Sequence, residues 1–222
     1  SLQNRMQGEL QLQTDAGMAT ATARLEGHEA EVEMDLTQLA VSQLLSRPEL
    51  PDLLSLQARM QARGISLASL SQWQQTLRNA RIEIKVPHVA HQGRHYGNIE
   101  VQSLFTPGQL QVHFRSADPS LQMLASAQMF LKGWKIDGGS IDLQVPHVSP
   151  GLWGMQGDYG KAHYSGNLRA SLQNICSGHW NGDLRLTDFS MTGSQKGDYR
   201  LNSLQAKLSS LPDGRSCVEL QS

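Results

Sequence analysis

The chain has 222 residues, with 19 basic and 20 acidic side chains, a formal net charge of −1, and 39% hydrophobic against 18% charged residues. This balance, with no Lys/Arg cluster longer than a pair, excludes a nucleic-acid surface, which needs a concentrated positive charge. The length admits one large β domain or two small ones, and 20 Gly with abundant Gln, Ser and Asn suit strands and turns better than a helical bundle.

From the N-terminus, GELQLQT (Gly8 to Thr14) alternates Leu10 and Leu12 with polar residues, Asp15-Ala16-Gly17 supplies a turn, and ATATARL and AEVEMDL alternate again. A period of two predicts three strands joined by turns. From Leu36 the spacing changes: LTQLAVSQLL predicts a helix near residues 37–46, with Thr37 as cap and Arg47-Pro48 as stop. LLSLQARMQARG (Leu53 to Gly64) fits either period, since Leu54, Leu56, Ala58 and Met60 also alternate, and is read as a strand because its Gly64 ending resembles the neighbouring β units. Leu67, Leu70, Trp73 and Leu77 share one helical face and predict a helix near 67–79.

Three alternating strands follow, RIEIKVPHV, YGNIEVQSLF and GQLQVHFRS. Then Asp118 as N-cap, Pro119 at the first helical position and Gly133 at C′ predict a helix near 119–132. Strands return through SIDLQVPHV, SGNLRASLQ, GDLRLTDFSM, DYRLNSLQAKL and SCVELQS.

One strand is written twice. RIEIKVPHV (Arg81 to Val89) matches SIDLQVPHV (Ser140 to Val148), and each is followed by a loop and a similar return, Tyr96-Gly97-Asn98-Ile99 and Tyr164-Ser165-Gly166-Asn167-Leu168. A degenerate third unit runs GDLRLTDFSMTG then KGDYRLNSLQAKL. The expected fold is mainly β and antiparallel, built of repeated β-hairpin units that form a curved or open sheet, with about three short helices. Residues 1–222 are expected to make a single elongated β domain, a division into sub-units 1–80 and 81–222 being left open.

No catalytic constellation emerges. His88 and His147 hold the same repeat position, and His91, His95, His113, His163 and His179 are scattered nearby without metal-site spacing. A G-x-S-x-G elbow and a phosphate-binding glycine fingerprint are both lacking. Glu83 and Asp142, the acidic partners in the repeat, alternate with apolar neighbours and read as a solvated face. Neither a catalytic residue, a cofactor nor a metal is therefore expected.

Cys176 and Cys217 lie outside any C-x-x-C spacing. A single disulfide closing the C-terminal region, in an oxidising compartment such as a periplasm, is the expectation; two unrelated thiols are the alternative. No run approaches the ~20 apolar residues of a spanning helix. The chain begins at Ser1, which leaves open a removed anchor or signal, or a longer parent protein.

Ile82, Ile84 and Val86 in one copy and Ile141, Leu143 and Val145 in the other give each strand one apolar side. Such a side is either covered by the protein's own core or helices, or it lines a groove for acyl chains, which ask only for an apolar wall.

GELQLQTDAGMATATARLEG, the twin IEIKVPHV and IDLQVPHV strands with their Gly-Asn returns, and GDLRLTDFSMTG together resemble the strand-and-turn idiom of the AsmA-like envelope proteins. That superfamily includes bridge-like lipid transport proteins and is similar to the type II secretion system protein N. The resemblance implies a non-enzymatic periplasmic β protein, anchored to the inner membrane in its full-length form. Its partners would be lipid acyl chains carried between membranes or, alternatively, envelope proteins of a secretion-type machine.

Overall fold

A computed structural model describes residues 5–47, 50–65, 73–91, 93–149, 157–211 and 215–221. The chain divides into two compact units, Ser1–Pro107 and Gly108–Ser222. The first holds β1 (Arg5–Thr14), β2 (Gly17–Glu26), β3 (Glu29–Leu39), β4 (Leu53–Arg63), β5 (Asn79–His91) and β6 (Arg94–Thr106). The second holds β7 (Gln109–Asp118), β8 (Leu121–Lys132), β9 (Lys135–Val148), β10 (His163–Gln173), β11 (Asn181–Thr192), β12 (Tyr199–Ser210) and β13 (Ser216–Gln221). Within each unit every strand pairs antiparallel with the next in the chain, so both units are up-and-down meanders. The boundary considered at residues 80/81 falls inside the first unit, where β5 is paired on both sides.

Helical structure is far scantier than expected. β3 runs on through Leu39, and the helix expected near 37–46 shrinks to the single turn Val41–Leu44. The one expected near 67–79 lies mostly outside the described residues, with one turn at Trp73–Thr76. The third expectation fails outright: residues 121–132 are strand β8.

The local chemistry explains that error. Asp118 and Leu121 close a hairpin around Pro119-Ser120, and Asp118 Oδ1 accepts the Ser120 N–H at 2.8 Å. An Asp that caps a helix uses the same short-range acceptance to cap a turn. Gly133, at φ +65°, turns β8 into β9 instead of ending a helix. Between these turns Ala125, Ala127 and Met129 face Leu143, Ile141 and Gly139 across the ladder, so the period of two decides.

The repeated V-P-H-V acquires a structural meaning. Proline has no N–H for a ladder and is confined within sheets to edges and bulges. Pro87 sits where the β4–β5 register slips, between the pairs Gln57↔Lys85 and Ser55↔His88. Pro146 sits at the same kind of slip, between Leu124↔Gln144 and Gln122↔His147. In each copy the proline is the extra residue, which keeps both flanking valines on one face and puts the histidine on the other. Close approach at the first slip also demands a glycine, since a Cβ on Gly97 would lie 2.4 Å from the Pro87 carbonyl oxygen.

Neither unit has a conventional core. Among the described residues no large side chain is fully buried, and the buried set is mostly small: Ala40, Ala62, Ala80, Ala90, Ala162 and Ala206 join Leu25, Leu39, Leu121, Val148 and Met191. Within each unit no second sheet or helical layer packs over either face of the strands described. The chain exposes 14535 Å² at 24.5 kDa, whereas a folded monomer of that mass exposes about 10,000 Å².

Candidate functional site

Successive residues of a strand point to opposite faces, so the registers sort every side chain onto one of two surfaces. In the first unit one row runs Leu10, Ala21, Met34, Ala58, Ile84, Val101, and the row beside it runs Gly8, Ala23, Val32, Met60, Ile82, Ser103. In the second unit one row runs Val112, Ala127, Ile141, Ala170, Leu184, Ala206, Leu220, and its neighbour runs Phe114, Ala125, Leu143, Leu168, Leu186, Leu204. Each unit therefore carries one continuous apolar face. Strands about 4.8 Å apart make a row across six strands about 24 Å long.

Ile82 and Ile84 stand in the two rows of the first unit and Ile141 and Leu143 in those of the second, whereas Val86 and Val145 lie outside the rows. Ile82, Ile84 and Val86 are half-buried on β5, Leu143 and Val145 are half-buried on β9, and Ile141 is 39% exposed. Val86 and Val145 stand at the register slips, where the alternation is reset. The alternation in the sequence identified the face on these two strands, but the registers alone show that it extends across every strand of both units.

The opposite face is polar and laced with exposed ion pairs. Glu31 takes hydrogen bonds from Arg59 Nη2 at 2.5 Å and Gln61 Nε2 at 3.0 Å, and Arg59 Nε lies 3.3 Å from Glu33. These bonds, that from Arg59 above all, hold the Glu31 carboxyl below its ordinary range and push the Arg59 guanidinium up. Glu83 pairs with Arg81 at 2.6 Å, and Asp142 with Arg169 at 2.5 Å. The shallow hollow between Thr20, Thr22, Asp35, Gln57, Arg59 and Lys85 gathers charged and polar side chains, and another, in the second unit, holds His113 opposite Ser126 with Asp142 next across the ladder. Among the described residues no three His, Cys, Asp or Glu come together as metal ligands.

The expected disulfide is not formed: Cys176 and Cys217 are free. Cys176 lies in the 3-10 turn Ile175–Ser177, its N–H bonded to Asp137 Oδ1 at 2.9 Å and its Sγ 3.5 Å from the Ile136 carbonyl oxygen. Cys217 stands on β13 opposite Ser209 of β12. Separate elements hold the two thiols, each by its own bonds.

Two histidine pairs escaped the sequence reading. His88 stacks near His95 with ring centroids 5.3 Å apart, and His147 lies near His163 at 4.9 Å. The signal was present: a histidine precedes each repeated tyrosine, in His95-Tyr96-Gly97-Asn98 and His163-Tyr164-Ser165-Gly166-Asn167.

No helix among the described residues is long and apolar enough to cross a membrane. Fold and surface define a class in plain terms, an antiparallel meander with one apolar and one polar face. No protein-family model, curated protein or solved structure matches the chain.

Proposed function

We propose that this chain is a non-enzymatic protein of the bacterial cell envelope, working in the periplasm, whose apolar β face carries lipid acyl chains between membranes. The observation that carries the reading is a continuous apolar face, in each unit, over which no second layer packs among the described residues. Exposed apolar surface of this extent is unfavourable in water, and on monomeric proteins it marks a binding surface.

Dimensions favour acyl chains as the occupant. The acyl chains of one leaflet span about 15 Å, half of the ~30 Å hydrocarbon core, and fit within a row of about 24 Å. Contact would be non-directional, which suits rows of Ile, Leu, Val, Met and Ala with few polar groups among them. Anchoring to the inner membrane through a segment outside this sequence belongs to the same proposal.

Native mass spectrometry of protein purified from an envelope fraction, followed by organic extraction, tests the reading. Phospholipid-sized adducts released by the solvent are expected. Lipid-free protein that instead co-purifies with envelope proteins would transfer the apolar face to a secretion-type assembly.

A further inference from the structure

We infer that His88 and His95 form a two-imidazole binding site for a divalent transition-metal ion on the polar face of the first unit. In the β5–β6 register His88 faces Gly97 and His95 faces Ala90, so the two rings are diagonal neighbours on one face. His95 Nδ1 stands 3.5 Å from His88 Nε2, with the rings inclined by 27°. Two nitrogens bound tetrahedrally to one zinc ion at ~2.0–2.1 Å are about 3.3–3.4 Å apart. The pair is thus already spaced as a bidentate chelate.

The surroundings leave room for the ion. His88 is flanked in the ladder by Gly97 on one side and Ser55 on the other, and neither has the bulk to cover the rings. His95 is exposed, which opens a path from solvent and leaves the remaining coordination positions to water. Each imidazole would give the lone pair of the facing nitrogen and keep its proton on the other ring nitrogen.

The second copy shows why the first is the site. There the Nδ1 of His163 is 2.7 Å from the Ser149 hydroxyl, a hydrogen bond that occupies that nitrogen. In the first copy the residue opposite His95 is Ala90, which has no hydroxyl, so Nδ1 is left facing His88.

Isothermal titration of untagged protein with zinc chloride alone, repeated with copper(II) chloride, tests the assignment. About one saturable equivalent is expected, with copper the tighter ion, and binding should weaken as protons compete at lower pH. His95→Ala and His88→Ala should each weaken binding roughly tenfold or more, while His163→Ala leaves it unchanged. Since His95 is exposed, its removal should leave the far-ultraviolet circular dichroism melt in place. The assignment is overturned if the wild type shows no saturable binding up to millimolar zinc. It is equally overturned if His95→Ala, folded by the same melt, binds within about threefold of wild type.

Discussion

Gly97 and Gly8 are both strand glycines, yet their surroundings predict opposite responses to the same substitution. A Cβ on Gly97 would lie 2.4 Å from the backbone oxygen of Pro87, which a neighbour cannot yield without moving the ladder, whereas nothing lies within 4 Å of a Cβ on Gly8. Gly97→Ala should therefore cost about 1–3 kcal/mol, and Gly8→Ala should be neutral or stabilising by about 0.5 kcal/mol. Urea unfolding of both variants measures the contrast, and equal midpoints would remove the close approach from the account. The cysteines make a second residue-scale prediction. Cys176 is exposed and Cys217 half-buried, both as thiols, so a thiol reagent under non-reducing native conditions should titrate two groups, Cys176 the faster. A single disulfide in protein made in an oxidising compartment would restore the sequence expectation.

At the scale of elements, the β3–β4 ladder makes a prediction about pH. Hydrogen bonds from Arg59 and Gln61 lower the Glu31 pKa in the folded chain. A carboxyl with a lowered folded pKa contributes stability above its unfolded value, and that contribution disappears as pH falls through the folded value. The Tm difference between wild type and Glu31→Gln should accordingly be present at neutral pH and close on acidification below the ordinary carboxylate range. The Glu31 side chain is partly exposed to solvent, so the difference should be small and should shrink with added salt. A difference that grows toward acid pH would reverse the sign assigned here.

Elements were also where the sequence was most and least readable. Period-two alternation located β1 to β3, β5 to β7 and β9 to β13 because each strand needs only one apolar face. β8 was misread because Asp118-Pro119 and Gly133 are chemically suited to helix ends and to hairpin turns alike, and nothing local distinguishes the two. The apolar face was legible at Ile84 and Leu143, but the rows joining them to Met34 or Leu186 depend on register, which no single strand encodes. The histidine pairs stayed hidden for the same reason, since His88 and His95 meet only across a ladder.

For the molecule as a whole, the two uses of an apolar face separate in one pair of variants. If the face is a core, burying an aspartate in it leaves an uncompensated charge and unfolds the unit. If it is a lipid-binding wall, solvent already reaches these positions and the charge costs the fold less. The structure favours the second outcome: Ile84 and Leu143 are only half-buried, and neither unit has a layer over its apolar face among the described residues. Ile84→Asp and Leu143→Asp should each fold, with midpoints lowered by roughly 1–2 kcal/mol, and each should lose most of the lipid that the wild type retains through purification. Phe114→Asp, in the row of Leu143, should behave likewise, whereas Ser126→Asp on the polar face beside His113 should keep its lipid. Unfolding of both Ile84→Asp and Leu143→Asp would show the face to be a core and end the proposal of a lipid surface. Folded variants that retain lipid at wild-type levels would end it as well, by placing the lipid elsewhere.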